Sequence, residues 1–258
     1  QARFNLATLY KDLGRYAEAA GEYEVLRRMA PNDPDTLNNL GLVRQAEGNT
    51  AHATQLYRAA VEAAPNHPQA LNNLGSLLLE TGNIEEAESV LLRARKSGGS
   101  ADADLNLGNL YTRRGDYTLA RKHYEAALVA SQGAADTHGV VLSKLIHARQ
   151  NACDWDGIEA LWEKARAHVD DDARQIMSPF PTLSMPLSPT QQLRAARAWS
   201  QLSYSAYQRP APELRGGRDG RRLRVGYLSS DFRQHAVTYL MAELFELHDR
   251  SRFDVFLY

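Results

Sequence analysis

The sequence predicts a mainly α-helical solenoid followed by the first strand–helix–strand unit of a parallel α/β domain. Three observations lead to this prediction. A pattern of small and bulky residues recurs four times in the first half of the chain. Every copy contains two stripes of apolar residues at helical spacing, separated by a polar turn. Residues 222–258 then change to short apolar runs that are typical of buried strands.

The composition limits the class of protein. The chain has 258 residues, of which 43% are hydrophobic and 24% charged, as is ordinary for a globular protein. Its net charge of -1 argues against a broad surface for DNA or RNA, and it has no apolar run of the length that spans a membrane. Cys153 is the only cysteine, which fits a reducing compartment, and no CxxC or His-x-x-His spacing indicates a metal. Both ends read as interrupted elements, so we expect a piece of a longer chain.

The recurring pattern is centred on a small residue in the first helix of each copy, at successive intervals of 34, 34 and 33 residues. A leucine precedes it, an alanine follows 12 positions later, and a bulky residue comes 4 positions after the alanine. The small residues are Ala7, Gly41, Gly75 and Gly108, and the bulky ones are Tyr23, Tyr57, Leu91 and Tyr124. Small residues let paired helices approach closely, and no copy can bury its apolar face alone. The pattern resembles the tetratricopeptide repeat, with four repeats over residues 1–132.

Residues 133–176 contain a further pair of helical patterns, "THGVVLSKLIHARQ" and "WDGIEALWEKARAHV", in which the repeat spacing is lost. We expect either a degenerate repeat or a pair of helices that caps the solenoid.

Residues 177–221 read as a proline-rich connector, a helix and a linker. Four prolines between 179 and 189 exclude one continuous helix. We expect the apolar residues among them to pack against a domain surface: Met177, Phe180, Leu183, Met185 and Leu187. Residues 190–208 read as an amphipathic helix, and the Gly- and Arg-rich stretch after it as a solvated linker, with an RNA-binding segment as the alternative.

In each repeat an asparagine immediately precedes the leucine of the pattern. These asparagines lie on the same face of each first helix: Asn5, Asn39, Asn73 and Asn106. First helices line the concave surface of a tetratricopeptide solenoid. A row of amides there offers donors and acceptors that complement an extended peptide backbone. We therefore predict a groove that binds acceptor proteins or peptides, although asparagine is also common at this position throughout the repeat family. Asn38 and Asn72, one position earlier, are expected to point elsewhere and could be solvated.

The last segment, residues 222–258, predicts a parallel βαβ unit: an apolar run from Leu223 to Leu228, a helix in "AVTYLMAELFELH" and a strand in "FDVFLY". Ligands of parallel sheets gather at the carboxyl ends of strands, where this sequence places Ser229, Ser230, Asp231 and His235. A neutral His235 there could accept a proton or orient a hydroxyl. The alternatives are a polar cap on the helix or a phosphate held by free N–H groups. Without GxGxxG or GxxxxGK[ST], neither dinucleotide nor P-loop binding is indicated.

Three motifs together resemble the protein O-GlcNAc transferases: "RLRVGYLSSDFRQHAVTYLM" at 222–241, "CDW" at 153–155 and "SMPLSP" at 184–189. The resemblance implies an inverting transferase that needs no metal or other cofactor and moves N-acetylglucosamine from UDP-GlcNAc to Ser or Thr. Residues 222–258 would begin the N-terminal lobe of a GT-B catalytic region, with the UDP-contacting residues beyond Tyr258. The family's active-site histidine falls on His235. Asp231 is carried over as a structural neighbour, and Tyr239 stands where eukaryotic relatives have a second histidine.

The resemblance also implies a cytoplasmic protein, and the heavy use of Ala and Arg suggests a bacterial homologue. Hypothetically, the asparagines present the substrate polypeptide to the catalytic site. Two alternatives stay open. The chain could be a non-catalytic scaffold that binds partners through its repeats, or a related transferase that uses another nucleotide sugar, such as GDP-fucose.

Overall fold

The computed structural model describes residues 1–98, 101–131, 135–171, 177–204, 222–227, 229, 242 and 244–257. The predicted fold class is confirmed: helix pairs form a solenoid, and a short parallel sheet follows it. The chain consists of two compact units, residues 1–207 and 208–258.

Four helix pairs form the repeats. They are α1 (Ala2–Asp12) with α2 (Tyr16–Met29), α3 (Pro34–Ala46) with α4 (Thr50–Ala63), α5 (Pro68–Glu80) with α6 (Ile84–Lys96), and α7 (Ala101–Arg114) with α8 (Tyr117–Ala130). Helix α3 begins at an N-cap in which Asp33 Oδ2 accepts from the Thr36 amide at 2.9 Å, and proline is the first helical residue. The first helices end before glycines with φ between +71° and +87° (Gly14, Gly48, Gly82 and Gly115), a conformation that glycine adopts without steric cost.

The small residues of the pattern are required by close approach of the paired helices. A Cβ atom on Gly41 would lie 2.5 Å from Tyr57 Cε1, and one on Gly108 would lie 2.4 Å from Tyr124 Cε1. In the third repeat, a Cβ on Gly75 would lie 2.5 Å from Leu91 Cγ. The close approach that the pattern predicts is therefore present in all three repeats with a glycine at this position.

The apolar core of the solenoid is divided into two clusters. One contains Ala7, Ala19, Tyr23, Leu37 and Leu40 together with Leu56 and Ala60 of α4. The other begins with Ala53 and Tyr57 of the same helix and continues through the later repeats into the connector. The boundary between the clusters therefore runs through α4.

Four further helices complete the first unit: α9 (Ala135–Asn151), α10 (Ile158–Asp170), α11 (Pro179–Thr182) and α12 (Pro189–Tyr204). Helix α9 packs on α8, and α10 packs on α9. Asp154, in the loop before α10, accepts hydrogen bonds from Arg121 of α8 at 2.5 Å and Arg149 of α9 at 3.0 Å. This carboxylate joins the last repeat to the helices that follow it.

The proline-rich connector packs as predicted at three of its five apolar residues. Met177, Met185 and Leu187 are buried. For Phe180 and Leu183 the prediction was wrong, because they are 76% and 66% exposed. The short helix α11 explains the difference: it turns Thr182 inward and leaves its neighbours on the outer side.

The second unit contains β1 (Leu223–Tyr227) and β2 (Phe253–Leu257), which pair in parallel with Leu223 opposite Phe253. Residues 244–246 are helical, while most of the predicted helix lies outside the described residues. Phe245 packs edge-on against Tyr227, with ring centroids 5.0 Å apart. The prediction of a buried strand was wrong, since Leu223 is 49% exposed. Within the part of this unit that is described, two strands and a helical segment cannot cover both faces of the sheet.

Candidate binding groove and catalytic segment

The first helices of the repeats form one wall of a groove. Helix α3 contacts α1 and α5, and α5 contacts α7, so the first helices lie side by side. A groove of about 800 Å³ runs along the amino-terminal parts of these helices. Of the four predicted asparagines, Asn39 and Asn73 line it, whereas Asn5 and Asn106 are not among the lining residues.

The asparagines are joined between repeats by hydrogen bonds. Asn73 donates from Nδ2 to Oδ1 of Asn38 in the preceding repeat, at 2.9 Å. In the same way Asn106 donates to Asn72, at 3.0 Å. The expectation that Asn38 and Asn72 point elsewhere was wrong: both line the groove, and Asn38 is only 5% exposed. Asn38 and Asn72 thus belong to the same amide row as Asn39 and Asn73, which directly follow them in the sequence.

The other two predicted amides also have hydrogen-bond partners. Asn39 accepts from Lys11 Nζ at 3.2 Å and donates to the carbonyl oxygen of Asp35 at 2.9 Å. Asn5 is exposed, and its Oδ1 accepts from Gln1.

Part of the hydrogen-bonding capacity of the amide row remains available. An amide has two N–H donors and one acceptor oxygen. Asn73 uses one donor, and within the described residues no partner reaches its second donor or its oxygen. Because the bonded atoms fix the orientation of each amide, the remaining atoms are presented to the groove in a set geometry.

Carboxylates line the groove beside the amides, which the sequence pattern did not indicate. They belong to Asp33, Asp35 and Asp102. Asp33 is used as the N-cap of α3, and Asp35 lies 3.0 Å from Nε2 of His67. No Lys or Arg is among the described residues that line this cavity. The "NDPD" sequence at the start of α3 indicates a helix N-terminus, but its position at the groove depends on how the repeats stack.

The predicted catalytic residues His235, Asp231 and Tyr239 lie outside the described residues, so their roles stay predictions. The strand that leads to them ends at Tyr227, opposite Leu257 of the parallel partner strand. Ser229 follows, half-buried.

The described residues provide neither a cluster of metal ligands nor a membrane span. They contain no group of three or more His, Cys, Asp or Glu side chains that could hold a metal ion, and the absence of a metal requirement stays a prediction. None of the described helices has the length and apolarity needed to cross a membrane.

Family models match most of the chain in two parts. Residues 1–34, 45–100 and 73–135 match models of the tetratricopeptide repeat. Residues 153–258 match the model of glycosyl transferase family 41. The second match begins at the "CDW" motif and includes the connector and the parallel strands.

Two curated relatives are peptide N-acetylglucosaminyltransferases. The chain is 28% identical over 128 residues to a probable UDP-N-acetylglucosamine–peptide N-acetylglucosaminyltransferase of Arabidopsis thaliana. It is 32% identical over 121 residues to the UDP-N-acetylglucosamine–peptide N-acetylglucosaminyltransferase of Caenorhabditis elegans. These matches include 44% and 42% of this chain but only 13% and 10% of the relatives.

Solved structures support the solenoid fold. A thermophilic TPR protein of Thermus thermophilus superposes with a TM-score of 0.55 at 21% identity, covering 77% of this chain and 97% of its own. The pilF protein of Pseudomonas aeruginosa superposes with a TM-score of 0.58 at 19% identity, covering 80% and 90%. At these identities the likeness concerns the fold alone.

Proposed function

Because this chain is a tetratricopeptide-repeat relative of the O-GlcNAc transferases, we propose that the whole protein transfers N-acetylglucosamine from UDP-GlcNAc to Ser and Thr hydroxyls of proteins. One observation carries the proposal. Repeats, the "CDW" loop, the proline connector and "VGYLSSDF" followed by His235 occur in this order in one chain, and the family 41 match extends over the last three.

In this proposal the repeat groove binds the acceptor polypeptide. The amides of Asn39 and Asn73 bind the backbone of an extended acceptor polypeptide, so that many acceptor sequences can be bound with little regard to their side chains. The pairing of Asn73 with Asn38 fixes its orientation before the polypeptide binds, which reduces the entropy lost on binding.

The reaction forms a bond between the acceptor hydroxyl oxygen and the anomeric carbon, while the bond from that carbon to the UDP oxygen breaks. The hydroxyl proton must leave as the oxygen attacks, and UDP departs with the bonding electrons. We assign His235 to the vicinity of this hydroxyl, where a neutral imidazole can orient it or accept its proton. Basic side chains and helix N-termini would stabilise the charge that develops on UDP.

The test separates the groove from the donor site. In the full-length protein, N39A/N73A should weaken glycosylation of protein acceptors and leave the calorimetric affinity for UDP unchanged. Gln55→Ala, an exposed position on the second helix α4, is the matched control. Protein glycosylation unchanged by N39A/N73A would reject the role of the groove.

The same titration separates the alternatives. Saturable binding of GDP instead of UDP would assign another nucleotide sugar. Binding of neither nucleotide, together with partner binding through the repeats, would identify a scaffold.

A further inference from the structure

Lys144 of α9 is half-buried beside the solenoid. Among the described residues no carboxylate lies within 4.0 Å of its ammonium group. Burial lowers the pKa of Lys144, because a partly desolvated ammonium is less favourable than a neutral amine. An ammonium group in such a position destabilises the fold unless an anion approaches it.

Lys144 lines a pocket of about 350 Å³ whose other described charged residues are Glu80 and Arg113. Arg113 donates from Nη1 to the carbonyl oxygen of Leu79, and no carboxylate of the described residues forms an ion pair with it. The Glu80 carboxylate accepts from Gln45 Nε2 at 3.3 Å. With two cations and one carboxylate, the pocket carries a net positive charge.

The pocket lies on the face of α7 that carries the amide row. Asn106, Asn109 and Arg113 are spaced i, i+3 and i+7, which places them on one side of the helix. Asn109 and Arg113 line the pocket. Asn109 is held in place because its Oδ1 accepts from the Tyr124 hydroxyl at 3.0 Å. A polypeptide that follows the amides along the first helices therefore reaches this pocket at their carboxyl-terminal parts.

We propose that the pocket formed by α5, α7 and α9 binds a carboxylate of the acceptor polypeptide, held by Lys144 with Arg113 beside it. The carboxylate neutralises the half-buried ammonium, and a guanidinium is suited to bind its second oxygen. This rests on the proposed function, because the groove must hold a polypeptide for its carboxylate to arrive. An acidic side chain and the terminus of a chain carry the same group.

The test uses short fluorescent peptides of Gly, Ser, Thr and Val with amidated termini. One set carries Glu at each position in turn, a second set carries Gln instead, and a third carries Gln with a free carboxyl terminus. In anisotropy titrations with the full chain, the best Glu peptide should bind about tenfold more tightly than its Gln partner, as expected for one charge-assisted hydrogen bond. Lys144→Met should abolish this difference, and Lys144→Arg should retain most of it.

Each outcome supports or overturns the proposal. Preference for the free carboxyl terminus alone would support the pocket and identify a chain terminus as its ligand. Equal binding of Glu and Gln peptides at every position would overturn the carboxylate site. If Asn73→Ala then weakened the binding of all peptides equally, the peptide-binding role of the groove would be supported and the carboxylate site rejected. If no peptide bound, both the carboxylate site and the peptide-binding role of the groove would be rejected.

A second measurement reads the site directly. The Glu peptide should protect Lys144 from acylation by an N-hydroxysuccinimide ester, detected by mass spectrometry, whereas the Gln peptide should not. Lys122, exposed on α8, is the control and should react at the same rate with either peptide. Acylation of Lys144 at equal rates with both peptides would overturn the proposal.

Discussion

The amide of Asn73 is bonded to the amide of Asn38 in the preceding repeat, with 2.9 Å between Nδ2 and Oδ1. Asn38 is almost completely buried. The bond therefore links two repeats and orients an amide that faces the groove.

Asn38→Leu should leave Nδ2 of Asn73 without this partner. We expect a loss of about 1 kcal/mol in the free energy of unfolding, the usual net contribution of one hydrogen bond. Urea denaturation measures it. The control is Gln55→Leu, an exposed helical position where the same side chain should change stability by less than about 0.5 kcal/mol. Equal stability of Asn38→Leu and the control would show that the amide bond contributes nothing.

Gly75→Ala should destabilise the third repeat. Its Cβ would lie 2.5 Å from Leu91 Cγ, and overpacking of this kind typically costs about 1–3 kcal/mol. Gly21→Ala is the matched control, since α2 has space around that position and alanine should stabilise the helix by roughly 0.5–1 kcal/mol. Thermal unfolding of both variants measures the contrast. Destabilisation of equal size at the two sites would contradict the close-approach argument.

Asp154 should make stability depend on pH under acidic conditions. Hydrogen bonds from Arg149 and Arg121 lower its pKa below the ordinary value of 3.8. Its contribution is therefore complete above that value and is lost as the pH falls through the lowered folded-state pKa. Denaturant titrations at neutral and acidic pH should show Asp154→Asn less stable than wild type at neutral pH, with the gap closing in acid. Asp156→Asn, in the same loop, should show no such closing gap.

Lys144→Met should stabilise the protein, because it replaces a poorly solvated ammonium with an apolar side chain of similar length. We expect a gain on the order of 1 kcal/mol near neutral pH. Since the folded-state pKa of Lys144 is lowered, its cost is greatest when the ammonium is protonated, and the gain should shrink as the pH rises through that pKa. Urea denaturation across this range measures it. A loss of stability at neutral pH would show that the ammonium has an internal partner.

The sequence predicted the features that depend on spacing along the chain. Gly41 and Tyr57 meet because the offset of 16 residues places them on facing sides of paired helices. The change from helical to strand periodicity likewise marked β1 and β2. Both follow from local periodicity, which a single sequence contains.

Features that depend on how helices are rotated against each other could not be predicted. The pairing of Asn38 with Asn73 depends on the angle between successive repeats. The outward positions of Phe180 and Leu183 depend on the short helix α11, which directs Thr182 inward instead. Buried His123, 2.8 Å from the carboxylate of Asp104, had no pattern to indicate it. The pocket at Lys144 is assembled from two repeats and helix α9, so it could not be predicted either.

The division of the apolar core within α4 affects the order in which the repeats unfold. Each repeat is stabilised by its neighbours. The small cluster that contains Ala7, Tyr23 and Leu40 should therefore unfold locally while the larger cluster stays folded. Amide protons of α1 and α2 should then exchange with deuterium well before those of α5 to α8. On heating, the first repeat would melt while the later ones still presented Asn73 and Asn106.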